Sequence, residues 1–141
     1  MILYLDTSAL VKLFVQEDGS DLAVGLVDAA DVMATSRLAY VETRAALAAA
    51  ARARRLTRAA LRSATTDLDR RWDTLGVVEV TQEIAQRAAA LAETRALRGF
   101  DALHLASALA IADDEFVLAT WDEDLALAAL AEGLAVAPTP T

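Results

Sequence analysis

The sequence predicts an α/β fold in three layers, a short and mainly parallel central sheet flanked by helices. Short, nearly continuous apolar runs recur along the 141 residues, at 2–5, 32–35, 76–80, 116–120 and 134–136. Longer stretches with helical spacing separate each run from the next. Strands that are apolar on both faces must be covered on both sides, which is the habit of parallel sheets.

Taken in order, Ile2-Leu3-Tyr4-Leu5 reads as a buried strand that ends at Asp6. Thr7 or Ser8 is expected to cap the following helix, which runs to about Val15. Gly19-Ser20 punctuates the chain, and a second helix extends to about Ala29. After the strand at 32–35, Ser36 is placed to cap a helix carrying Leu38, Val41, Ala45 and Ala48 as a helical stripe, with Glu42 beside it. Thr57 opens an Arg- and Ala-rich helix ending near Trp72, and Thr81 starts the one after strand 76–80. Gly99 is expected to break that pattern, with Asp101 beginning a helix through about Asp113. The strand at 116–120 ends next to Asp122, a last helix reaches Glu132, and 134–136 forms a final edge strand. There is no repeat, no low-complexity linker and no internal Pro/Gly-rich boundary, so one domain over residues 1–141 is expected.

Composition narrows the chemistry. There is no cysteine, which removes disulfide scaffolds and thiolate metal sites and makes a cytoplasmic protein the simplest expectation. No apolar run is long enough to span a membrane, and the apolar opening carries an aspartate instead of a basic leader. The formal net charge is −8, the wrong sign for a protein that coats nucleic acid through its phosphates. An enzyme escapes that objection if divalent cations neutralise clustered carboxylates. Arg52, Arg54, Arg55, Arg58 and Arg62, with Arg70 and Arg71 further on, are a local basic cluster that is a solvated helical face, a guide for RNA or a contact for an acidic partner.

Four acids fall where a site would form. Asp6 and Asp122 each follow a strand, and in open parallel sheets ligands gather at the carboxyl ends of strands. Asp101 opens a very apolar helix, and Glu42 interrupts an alanine-rich one, where an unpaired carboxylate is costly. Singly, each has an ordinary structural use, since Asp6 and Asp122 can cap helices and Asp101 can answer a helix dipole. Together they can converge on one cleft.

The motifs around them carry a resemblance. Asp6-Thr7-Ser8-Ala9-Leu10-Val11-Lys12-Leu13-Phe14 resembles the opening motif of the PIN-domain nucleases, and of their VapC-type toxin branch in particular. Glu42 stands where that family places its single glutamate. Leu97-Arg98-Gly99-Phe100-Asp101-Ala102-Leu103-His104-Leu105-Ala106 closely resembles the third acidic motif, and Ala119-Thr120-Trp121-Asp122 the fourth. The resemblance covers essentially the whole chain. It implies a PIN fold, metal-dependent cleavage of RNA leaving a 5′-phosphate, and a toxin restrained by a VapB-type antitoxin that can insert a basic residue among the carboxylates.

The chemistry also stands without the family. Phosphodiester hydrolysis needs an activated water and stabilisation of phosphoryl charge, and Mg²⁺ or Mn²⁺ supplies both from carboxylate ligands. A single histidine, His104, excludes a multi-histidine zinc site. Asp6 and Asp101, which stand on the two motifs that carry the resemblance most specifically, are the principal candidate metal ligands. Glu42 and Asp122 would join them as ligands, support them from behind, bind a second ion or orient the attacking water. Ser8 and Thr120 are candidate hydrogen-bond donors that hold these carboxylates in place.

Other residues are set aside. Asp124 is read as a first-turn dipole partner, His104 as a packed histidine, and Trp72 and Trp121 as core or interface residues. Lys12, the only lysine, is equally a phosphate contact or a solvated group, and Arg98 stands at the mouth of the site facing RNA or an antitoxin. A dehalogenase-like phosphatase would need an aspartate at position 8, which is Ser8, and no glycine-rich phosphate loop is present. The remaining alternatives are an RNA-processing PIN nuclease outside any toxin pair and a PIN-like binding module without turnover. The small apolar surface of residues 36–72 exceeds what a small sheet needs, and a symmetric homodimer is expected.

Overall fold

In the computed structural model, which describes residues 1–141, five strands alternate with seven helices. The strands are β1 (Ile2–Leu5), β2 (Val32–Ser36), β3 (Gly76–Val78), β4 (Phe116–Ala119) and β5 (Ala135–Ala137). The helices are α1 (Thr7–Val11), α2 (Ser20–Ala29), α3 (Leu38–Arg52), α4 (Arg58–Trp72), α5 (Gln82–Arg95), α6 (Gly99–Ile111) and α7 (Glu123–Ala131). All four strand pairings are parallel, in the order β3-β2-β1-β4-β5, with Leu3 level with Met33 on one side and Val117 on the other.

Alternation along the strands divides the core in two. Leu3 and Leu5 of β1 pack with α1, α3 and α4 through Leu10, Leu47 and Leu68. Tyr4 of the same strand points the other way, into Phe116, Leu118, Leu91, Leu105 and Leu125 of β4, α5, α6 and α7. Burying each large apolar side chain contributes about 1.5–3 kcal/mol, so the central strands are anchored on both faces. These are the three layers predicted.

Four helices start on a side chain that accepts an amide three residues on: Asp6 from Ala9, Thr57 from Ala60, Thr81 from Ile84 and Asp122 from Leu125. The cap of α1 is therefore Asp6, neither Thr7 nor Ser8, and the helix gives way to turns after Val11 instead of reaching Val15. Ser36 is the last residue of β2 and not a helix cap; α3 follows Arg37, which makes no capping bond.

Two larger differences concern α3 and α6. The stripe expected to face the core, Leu38, Val41, Ala45 and Ala48, does not: Ala39, Thr43, Leu47 and Ala50 are buried, and Val41 is 69% exposed. In a helix where seven of the fifteen residues are alanines and they fall on every side, the periodic signal cannot select a face. Nor does Gly99 end α5. Ala96 takes the left-handed conformation (φ 53°), the Leu97 N–H closes on the Ala92 carbonyl, and Gly99 is already the first residue of α6. A left-handed terminus is usually glycine, so an alanine there carries no sequence signal.

The strand order fixes where a site can form. From β1 the chain builds outward through β2 and β3 on one side, then returns to lay β4 and β5 on the other. The crevice between the carboxyl ends of β1 and β4 is the topological switch point, and Asp6 and Thr120 stand at its two lips.

Candidate active site

Asp6 is 3% exposed, yet its carboxylate is well supplied. Oδ1 accepts from the Ala9 amide at 2.9 Å and the Ser8 hydroxyl at 2.7 Å, and Oδ2 accepts from the Thr120 hydroxyl at 2.5 Å. The two hydroxyls also clamp the strand ends together. Ser8 Oγ accepts from the Trp121 amide, and Thr120 Oγ1 accepts from the Asp122 amide. Burial pushes the Asp6 carboxyl above its ordinary value, against the opposing pull of His104, Thr120, Ser8 and the Ala9 amide.

Glu42 reaches the same region from α3. Its Oε1 accepts from the Thr7 hydroxyl at 2.6 Å and from His104 Nε2 at 2.9 Å. Facing a carboxylate, Nε2 must carry a proton. The other ring nitrogen, Nδ1, meets the Tyr4 hydroxyl at 2.9 Å, and burial holds that phenol well above its ordinary pKa. Partial burial pushes Glu42 up, but the bonds from His104 and Thr7 outweigh it, and the carboxyl lies below its usual value.

Asp101 and Asp122 meet through a cation. Arg98 donates from Nε to Asp101 Oδ2 and from Nη2 to Asp122 Oδ2, both at 3.0 Å, while Asp122 Oδ1 caps α7. The arginine side chain is 81% exposed and the two carboxylates are mostly covered. Partial burial, then the charge of Asp122, raises Asp101 above its ordinary value, with Arg98 opposing. The bond to Asp101 raises Arg98 in turn.

All four acids line one cleft of about 340 Å³, together with Ser8, Arg98, His104, Lys12 and Glu17; Thr120 stands behind it on Asp6. Lys12 is not a solvated group: it is 11% exposed, bound to Glu17 Oε1 at 3.0 Å and stacked over Trp121. Asp124 is exposed in the first turn of α7 and does not line the cleft. The basic residues Arg52, Arg54, Arg55, Arg58, Arg62 and Arg70 are exposed; none lines the cleft, although Arg55 reaches Glu17 at 3.9 Å.

His104 is packed, as its apolar surroundings suggest, but packing does not remove it from the cleft, since it anchors Glu42. Thr7, Tyr4 and Glu17 were not singled out by sequence reasoning. Thr7 sits inside the first acidic motif and was weighed only as a cap. The Arg98–Asp101 spacing of three residues on one helix end is a pairing signal that could have placed Arg98 against the acids.

The PIN-domain family model matches residues 3–131. Ribonuclease VapC49 of Mycobacterium tuberculosis is 50% identical over 137 residues, 97% of this chain and 95% of the relative. Among solved structures, VapC20 of Mycobacterium tuberculosis, a toxin that cleaves the sarcin-ricin loop, superposes with a TM-score of 0.68 at 21% identity, covering 89% of this chain and 94% of that one. A toxin-antitoxin complex from Klebsiella pneumoniae gives 0.60 at 21% identity, covering 85% and 86%. The two structures share the fold, and the family model and the close relative make the chain a member of the PIN-domain family, on its VapC branch.

Proposed function

We propose that this chain is a cytoplasmic endoribonuclease, the toxin of a VapBC-type toxin-antitoxin pair, which hydrolyses RNA with Mg²⁺ or Mn²⁺ held by Asp6, Glu42, Asp101 and Asp122. The observation that carries the reading is that four acids, from 6 to 122 in sequence, line one cleft at the switch point of the sheet. The ribonuclease name of the 50%-identical relative supports the substrate class. Similarity to a toxin-antitoxin complex supports the partner. No helix is long and apolar enough to cross a membrane.

The donor set fits a hard divalent cation. It is all carboxylate oxygen, with the one histidine already committed to Glu42 and Tyr4. No three His, Asp or Glu side chains converge closely enough to hold an ion as they stand. A positive group nevertheless bridges two of them already, the Arg98 guanidinium. The cleft is thus one that attracts cations, and Arg98 would compete with an ion for Asp101 Oδ2 and Asp122 Oδ2.

When bound, the cation supplies charge stabilisation at the phosphoryl oxygens and acidifies a bound water. The protein's own groups have separable tasks. Asp6 is held rigid by its three donors. Asp101 keeps Oδ1 free of hydrogen bonds and Glu42 keeps Oε2 free, so each offers one oxygen to the cleft. Glu42, held anionic by Thr7 and His104, is suited to orient a water or take its proton at Oε2.

The test is cleavage of total RNA with Mg²⁺ or Mn²⁺, its loss on chelation, and its loss in Asp6→Asn and Asp101→Asn variants that still melt cooperatively. Full activity in either variant would sink the assignment. Induced expression is expected to arrest growth, with co-expression of the neighbouring antitoxin restoring it.

A further inference from the structure

Beside the carboxylates lies a second opening of about 340 Å³, lined by Glu42, Arg98, Gly99, Phe100 and Asp101. Phe100 is 62% exposed and is the only aromatic among the exposed large hydrophobic side chains. It immediately precedes Asp101 and immediately follows Gly99, at the start of α6.

Nothing in the fold accounts for these two neighbours. The Phe100 ring belongs to neither core cluster. A Cβ at position 99 would meet no atom within 4 Å, and the backbone there is not left-handed, so neither packing nor geometry demands a glycine. A bare backbone beside an opening leaves room for close approach by a ligand. Of the two cations at the cleft, Lys12 is covered and tied to Glu17, whereas Arg98 is exposed and able to turn outward.

We propose that Arg98, Gly99 and Phe100 form a nucleotide subsite on the rim of the cleft, where the Phe100 ring stacks on an unpaired base next to the bond to be cleaved. The inference rests on the ribonuclease reading and adds to it the form of the substrate. Arg98, turned outward from Asp101 and Asp122, meets the phosphate flanking that base. Single-stranded nucleic acid is held in this way, by aromatic faces for the bases and guanidinium groups for the backbone. An acidic peptide would be drawn to Arg98 but repelled by Glu42, Asp101 and Asp122. A nucleotide separates its apolar base from its charged phosphate, and so can present the base to Phe100 while a cation answers its charge. A phenyl ring offers no hydrogen bond to a base edge, so the subsite selects unpaired over paired nucleotides and discriminates weakly among bases.

The experiment measures binding of a short unstructured RNA, with 2-aminopurine at successive positions, to the full chain in an Asp6→Asn background with Mg²⁺ present. Phe100→Ala is expected to weaken binding about tenfold and to relieve quenching at one 2-aminopurine position, with Phe100→Trp retaining both. Arg98→Gln is expected to weaken binding and to reduce its salt dependence by about one phosphate contact. The same sequence as a duplex is expected to bind weakly and to be indifferent to Phe100. Phe100→Ala binding as tightly as its parent would overturn the subsite, as would a change in oligomeric state by light scattering with RNA affinity unchanged, which would assign the ring to a contact between copies. If the unsubstituted chain neither binds nor cleaves RNA, the ribonuclease reading itself fails, a separate result from the loss of the subsite alone.

Discussion

The Arg98 guanidinium reaches across 24 residues to Asp122, Nη2 to Oδ2 at 3.0 Å, while its Nε holds Asp101 at the same distance. A monovalent side chain thus stands between two carboxylates of the cleft proposed to hold divalent cations. Exposed ion pairs contribute about 0–1 kcal/mol each, so the arginine is a weak occupant that can be displaced.

Removing it should therefore ease loading. Arg98→Gln is expected to bind Mn²⁺ more tightly, by roughly threefold to tenfold, in calorimetric titration of the RNA-free protein. Unchanged or weaker binding would mean that Arg98 does not compete with the ion.

The carboxylates predict an unusual pH dependence for the metal-free protein. Asp6 and Asp101 both have folded values raised above the ordinary 3.8, chiefly by burial. Their contribution to stability is thus fully present below about pH 3.8 and is lost as pH rises through the raised folded values. Glu42 acts in the opposite sense: its stabilisation is present above the ordinary 4.5 and is lost as pH falls through its lowered value. At neutral pH without metal, Asp101→Asn should melt at a higher temperature than the parent, and the gain should vanish as the medium is acidified. Excess Mg²⁺ or Mn²⁺ should stabilise the parent and not the variant. A lower melting temperature for Asp101→Asn at neutral pH would contradict the burial argument.

Thr120 is a structural clamp as well as a donor to Asp6. Thr120→Val keeps the shape, leaves Asp6 Oδ2 without its hydroxyl and deprives the Asp122 amide of its acceptor. The expected cost is about 1–2 kcal/mol, a fall in melting temperature of roughly 3–7 °C by calorimetry or circular dichroism. Cleavage should fall more steeply than stability, because the same bonds align the two strand ends. A variant with the parent's melting temperature would show that the clamp is dispensable.

The outward face of α3 bears on oligomeric state. Val41 is 69% exposed, in a helix whose other exposed positions are Arg44, Ala45, Ala49 and Arg52. If this face is the dimer interface, Val41→Glu is expected to shift the protein from dimer to monomer by light scattering at micromolar concentration, with little change in monomer folding. A monomeric parent under those conditions would refute the dimer outright.

Much of this molecule is written in short-range pattern. Ile2–Leu5 announces a strand buried on both faces, and Asp6, Thr57, Thr81 and Asp122 sit at helix starts because their side chains can satisfy free amides there. The alternation of strands with helices is enough to imply a parallel sheet, and the placement of Asp6 and Asp122 just past strand ends is enough to suggest a site at the sheet's carboxyl edge; that this is the switch point follows from the strand order. These properties are local, set by which side chains neighbour one another along the chain. What only the tertiary structure decided depends on which surfaces meet. The uniform alanines of α3 left its buried face undetermined until Ala39, Thr43, Leu47 and Ala50 packed inward, which turned Val41 out and set Glu42 against His104. Likewise, no spacing rule links Thr120 to Asp6, 114 residues away, or Tyr4 to His104, 100 away; those bonds exist because β1, β4 and α6 were brought side by side. The acids were legible one by one, with Ser8 and Thr120 as donors beside them, while the hold of His104 on Glu42 and the Arg98 bridge from Asp101 to Asp122 became visible only once the sheet had closed the distance.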